Sequence, residues 1–100
     1  MDSEGWVQLR QGIWRKPLAR DEEKGVQADY IRVEPDFSDH PHFHQGLEWV
    51  YIIEGGFTDQ AGRHVAGDFL INSMDGEHQV STGPDGCLLL IFWTGSVKPA

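Results

Sequence analysis

His42 and His44 stand two residues apart in the stretch HPHFHQGLEWVYIIEGG, residues 40–56, and Glu48 follows at the same parity. Alternate side chains of an extended strand leave from one face, so the two imidazoles can reach a single ion. Gly46 lies between His44 and Glu48 and lets the backbone bend, which returns the carboxylate to that centre. His78, in GEHQV, is expected on a later strand facing the same interior. Three imidazoles and one carboxylate form a borderline nitrogen and oxygen donor set. Such a set suits one divalent transition metal, Zn²⁺ or Fe²⁺ first and Mn²⁺, Ni²⁺ or Co²⁺ next, and is too nitrogen-rich for Ca²⁺ or Mg²⁺. Spacing alone leaves the metal's identity open.

Other reactive side chains carry less. Ser73 and Ser81 have no histidine and acid partners outside the ligand set, so no activated nucleophile is evident. His40 precedes Pro41 and falls off the ligand pattern, which makes it a solvated or supporting residue. His64 is expected on the surface of a hairpin arm, Glu54 at the rim of a strand, and Met74 at the mouth of the barrel. Cys87, the single cysteine, cannot form an internal disulfide and reads as a small buried hydrophobe.

The elements that must position these groups are strands. Four apolar runs alternate with turn residues, and none keeps the i, i+3, i+4, i+7 spacing of an amphipathic helix. VQADYIRV, residues 26–33, alternates until Pro35 stops it, since proline cannot donate to a ladder. EWVYIIE, residues 48–54, is apolar on both faces, with Val50 and Ile52 on the Glu48 side and Trp49, Tyr51 and Ile53 on the other. That pattern, repeated from Cys87 to Trp93, predicts strands covered on both sides by a second sheet and a second subunit. The aromatics Trp49, Tyr51, Phe69, Phe92 and Trp93 are accordingly read as core or dimer-interface residues. FTDQAGRHV is expected to form a hairpin around Asp59 and Gly62, and Gly67–Asp68 a turn before FLIN. STGPDG, residues 81–86, reads as a connection, and LARDEEKG, residues 18–25, as a loop or a single helical turn. SEGWVQL reads as an edge strand and SVKPA as a frayed tail. Short strands separated by turns at roughly ten-residue intervals predict an all-β sandwich or small barrel.

The chain of 100 residues is read as one domain over 1–100 with its core at about 26–94. A fold of this size buries roughly two-thirds of the surface its unfolded chain exposes. The formal net charge of -8 repels phosphate backbones and anionic membranes, which argues against nucleic acid and lipid as partners. The start, MDSEGWVQLRQ, has acidic residues where a signal peptide needs basic ones, so a cytoplasmic location is expected. An apolar outer face on so small a barrel predicts a homodimer.

The pattern H42-x-H44-x3-E48-x6-G55 followed by G67-x10-H78 resembles the two-part signature of the cupin superfamily. More narrowly, EWVYIIEGGFTDQAGRHVAGDF, ending in GCLLLIFW, is similar to the cupin domain of ChrR-type anti-sigma factors. The resemblance covers Asp39 to about Trp93. It implies a small double-stranded β-helix, a jelly-roll-like barrel, with His42, His44, Glu48 and His78 as ligands of one metal and Gly55 and Gly67 bounding turns. The chain departs from the pattern at Asp36, where a glycine is frequent, and at Ser73, Asp75 and Thr82, where proline, glycine and asparagine are expected; Gly76 is the alternative turning residue.

Relatives in that subfamily are dioxygenases of acetylacetone-like or hydroxyacetophenone-like compounds. The resemblance therefore implies a metal-dependent dioxygenase acting on a small diketone or aryl ketone. An alternative stands beside it, a non-catalytic ChrR-like module that binds zinc and senses or binds a small ligand. ChrR-type proteins also carry an N-terminal helical sigma-binding domain, which these residues do not provide, so an anti-sigma role is not implied.

Overall fold

Alternation carries most of the architecture. In the computed structural model, residues 5–38, 42–43, 48–72 and 77–94 are described; at 42, 43, 72, 77 and 78 this is the backbone. These residues form strands β1 (Val7–Arg10), β2 (Ile13–Asp21), β3 (Val26–Val33), β4 (His42–Phe43), β5 (Glu48–Asp59), β6 (Gly62–Val65), β7 (Phe69–Asn72), β8 (Glu77–His78) and β9 (Ser81–Thr94). A seven-stranded antiparallel sheet runs β1-β2-β3-β9-β5-β6, with β7 also on β5, and β4 and β8 form a second, two-stranded sheet. The fold is the small all-β barrel that the strand pattern predicts. Among the described residues no helix is long and apolar enough to cross a membrane.

The sheet has one wet face and one dry face. Val33 pairs with Cys87, Ile31 with Leu89 and Asp29 with Ile91 across β3 and β9. Ile52 then continues the row from Leu89, and Val50 that from Ile91, onto β5. Directly opposed residues share a face, so these side chains meet in one layer. Ile31, Val33, Val50, Ile52, Phe57, Cys87, Leu89 and Ile91 form the core, against which Ile13, Phe37, Leu70, Val80 and Trp93 pack.

One glycine marks the bend of the long strand, and another a turn beside it. The β5–β9 register shifts between Ile52 and Glu54 and again between Gly55 and Phe57. Gly55 takes φ +69°, and a Cβ there would run into the carbonyl of Gly86. It therefore lies at a bulge inside β5 rather than at a turn. The bend lets β7 pair with the first half of β5 and β6 with the second. Gly67, at φ +96°, does sit in the β6–β7 turn, where its N–H donates to the Ile52 carbonyl at 2.8 Å.

Several expectations change. STGPDG lies within β9, since Ser81 and Thr82 pair with Thr58 and Phe57; the β5 pairing skips Gly83 to Gly86, which form a wide irregularity. Leu18 to Asp21 continue β2, and only residues 22–25 turn, because pairing with β3 extends to Asp21 opposite Val26. Within the single chain the outer face stays exposed: Tyr51 is 42%, Phe92 47%, Phe69 57% and Ile71 61% exposed. The predicted SVKPA tail lies outside the described residues.

Candidate functional site

Rows of cross-strand partners run over the sheet, and the row at one end carries polar residues. Gln27 pairs with Trp93, Trp93 with Glu48, and Glu48 with Asn72, across β3, β9, β5 and β7. Glu48 opens β5 on the core side and is 4% exposed, as its shared parity with Val50 and Ile52 requires. The second sheet sets His42 opposite His78, with Phe43 opposite Glu77. Thus positions 42 and 78, far apart in sequence, become neighbours in register, while Glu48 belongs to the wall of the larger sheet. His44 lies outside the described residues, as do His40, Ser73, Met74, Asp75 and Gly76. Among the described residues no group of three or more His, Cys, Asp or Glu side chains is gathered to hold a metal ion.

The segment leading to His42 is tied to β9 by the two departures from the cupin pattern that the described residues contain. Asp36 adopts φ +56°, the left-handed conformation that glycine takes without cost and that aspartate tolerates better than most residues. Its N–H donates to the Gly83 carbonyl at 2.9 Å. The Thr82 hydroxyl donates to the Glu34 carbonyl at 2.6 Å and accepts from the Phe37 N–H at 2.9 Å, while the Thr82 N–H donates to the Phe37 carbonyl at 2.8 Å. Asp36 and Thr82 thus meet at one loop, and each satisfies backbone groups there.

Sequence reasoning missed three polar features. Asp29 is 2% exposed on the core face and accepts a 2.7 Å hydrogen bond from Gln27 Nε2. Its parity with Ile31 and Val33 was the available signal. Arg15 opposes Ile31 on β2, and its Nε is buried with no hydrogen-bond partner among the described residues. His64, expected at the surface, has a side chain only 15% exposed; its Nε2 lies 2.9 Å from Asp59 Oδ1, and its ring tilts against Phe57 with centroids 5.1 Å apart. Asp59 Oδ1 also accepts from the Ala61 N–H at 2.9 Å, so this pair closes the β5–β6 hairpin.

The remaining groups match the sequence reading. Glu54 is exposed at the rim, 3.6 Å from Arg32 Nη2. Cys87 is 1% exposed, and burial pushes its thiol up to about 11, partly opposed by the Val33 backbone hydrogen bond and the Arg32 charge.

The fold is shared with known proteins. A structure of Rhodobacter sphaeroides SigE in complex with the anti-sigma ChrR matches with a TM-score of 0.78 and 25% identity, over 88% of this chain and 47% of the matched one. This chain therefore spans about half the length of that relative. An acetylacetone dioxygenase from Acinetobacter johnsonii matches with a TM-score of 0.81 and 15% identity, over 95% of this chain and 71% of that one. KdgF from a Halomonas species matches with a TM-score of 0.71 and 23% identity, over 90% and 86%. At such identities the last two likenesses concern the fold. No curated protein matches the sequence. The model of the ChrR Cupin-like domain matches residues 1–97, and the chain belongs to that family.

Proposed function

We propose that His42, His44, Glu48 and His78 hold one divalent transition-metal ion, Zn²⁺ or Fe²⁺ before Mn²⁺ or Ni²⁺, and that a small molecule binds beside it. The observation that carries this reading is the register of His42 against His78, with Glu48 buried on the core face of the neighbouring sheet. Opposed positions of an antiparallel pair are the closest that two strands offer. A carboxylate held in an apolar layer is stabilised by a cation or by donors, and imidazoles with one carboxylate suit the metals named. Bound there, such an ion supplies Lewis-acid polarisation of ligand oxygens and, as iron, redox chemistry with dioxygen.

In the iron form the chain is a metal-dependent dioxygenase acting on a small diketone or aryl ketone, a reading supported by the shared fold of acetylacetone dioxygenases. A second reading is favoured by the family match over residues 1–97: a non-catalytic ChrR-like module that binds zinc and senses or binds a small ligand. Metal analysis after purification without added ions, with oxygen uptake over a panel of β-diketones, separates the two. Iron with uptake supports the enzyme, and zinc without uptake supports the module. Protein that takes up neither metal contradicts both.

The same reading makes the chain a cytoplasmic homodimer without nucleic-acid or membrane partners. Its outer face carries a cleft of about 520 Å³ bordered by Ala28, Trp49, Phe69 and Phe92. A second copy, packed face to face across a two-fold axis, removes this apolar surface from water.

A further inference from the structure

We propose that the cleft on the outer face is a second binding site, for an uncharged aromatic molecule of fused-ring size, and that its occupant holds two copies of the chain apart. The site rests on the cleft itself; only the effect on assembly rests on the dimer reading given above.

The hollow is set by one row of register partners. Ala19 pairs with Ala28, Ala28 with Phe92, Phe92 with Trp49 and Trp49 with Ile71, across β2, β3, β9, β5 and β7. Opposed residues share a face, and Trp49 has the parity opposite to Glu48, so this row lies on the side away from the proposed metal centre. The rows on either side carry larger side chains, Val26 opposite Thr94 and Tyr30 opposite Leu90. Two adjacent alanines thus form a floor between taller neighbours. Rows on one face repeat about every 7 Å along the strands, and strands lie about 4.8 Å apart, so the floor is broad enough for a fused ring. Ala28 records the depth of the hollow. It is 8% exposed, yet it stands outside the core cluster, between Phe92 and Val26, which remain exposed. The cleft measures about 520 Å³ and is bordered by Ala19, Val26, Ala28, Trp49, Phe69 and Phe92. Small-molecule sites commonly lie between about 300 and 1,000 Å³ and are mostly apolar.

The chemistry at the mouth selects an uncharged occupant. Arg20 and Asp21 stand at the rim, and each is engaged by its own chain: Arg20 Nε lies 3.8 Å from Glu22 Oε1, and Asp21 Oδ1 accepts from the Lys24 N–H at 3.1 Å. A charged ligand would give up its hydration on an apolar floor beside rim charges that are already engaged, which is costly. Phe92 and Trp49 favour a flat ring, which packs on them as aromatic pairs do. A second copy fills this hollow poorly. A sheet laid across it bridges the alanines and leaves a void whose walls lose dispersion contacts, whereas a ring settles onto the floor. Because Ala28, Trp49, Phe69 and Phe92 border both the cleft and the proposed dimer face, ring and second copy compete for them.

The test titrates the full chain with N-phenyl-1-naphthylamine, an uncharged probe that fluoresces when it leaves water. One probe per chain is the expected stoichiometry. Ala19→Phe fills the hollow while adding apolar surface, so it should weaken binding about tenfold or more, whereas adsorption to a greasy face would be strengthened. Ile71→Thr, on the same row beyond the cleft, should stay within about twofold of wild type. If Ala19→Phe fails to fold, Ala28→Val narrows the floor and should weaken binding about threefold. In sedimentation velocity at a concentration where the wild type is a dimer, saturating probe should yield monomers. No binding, equal binding by the folded variant, or a dimer that persists with the probe bound overturns the proposal. A wild type that is monomeric without probe overturns the dimer reading alone, while probe binding that Ala19→Phe abolishes still supports the site in that sample.

Discussion

His42 and His78 are register partners in the two-stranded sheet, although a turn, a bulged strand and a hairpin separate them in the chain. The barrel makes this pairing by folding the chain back through β5, β6 and β7. The pairing of β4 with β8 therefore sets both the first proposed histidine ligand and the last.

His64 lies outside the proposed ligand set, and its contacts are local. His64→Ala removes the Asp59 contact and the ring packing on Phe57. It should destabilise the fold by about 1–2 kcal/mol in urea titration and leave the metal content unchanged. A large loss of metal would mean that the ligand set is wrong.

Gly55 and Gly83 should respond unequally to the same substitution. Gly55→Ala places a methyl group against the Gly86 carbonyl at positive φ, and is expected to cost at least about 2 kcal/mol. Nothing lies within 4 Å of a Cβ on Gly83, and its φ is ordinary, so Gly83→Ala should stay within about 0.5 kcal/mol of wild type. Equal effects would contradict the bulge at Gly55.

Cys87 links stability to alkaline pH. Because burial raises its folded pKa from 9.0 to about 11, the folded chain holds the thiol proton more tightly than the unfolded chain. Its contribution is full below about pH 9 and is lost as pH rises through about 11, a change on the order of 2 kcal/mol. Denaturation midpoints measured across that window should fall more for the wild type than for Cys87→Ala. Parallel curves would show that the thiol is not the group responsible.

Phe92 is the central exposed aromatic of the outer face, flanked in register by Ala28 and Trp49. Phe92→Lys should convert a dimer to a monomer in sedimentation velocity, with the melting temperature little changed if the fold itself is intact. A wild type that sediments as a monomer at high concentration would refute the dimer.

Much of this was legible in alternation. Val26–Val33 reads directly as a strand, and the parity that sets Glu48 with Val50 and Ile52 is the parity found buried. What escaped was non-local. Leu18 to Asp21 carry weak strand propensity and pair because β3 lies alongside; STGPDG looks like a loop by composition, yet Thr82 ties it to residues 34–37. Asp29 was overlooked because an acid in an alternating strand is ordinarily assigned to the wet face, and only its phase relative to Ile31 and Val33 places it inside. The two-sided apolar pattern of β5 and β9 predicts cover on both faces, and the single chain buries one of them while the other stays exposed.

X-ray absorption of the metal-loaded chain tests the central claim most directly. A first shell of three imidazoles and one carboxylate around one ion per chain, reduced to two imidazoles in His78→Ala, is the predicted result. A shell indifferent to His78→Ala, or one without imidazole scattering, would contradict the proposed centre.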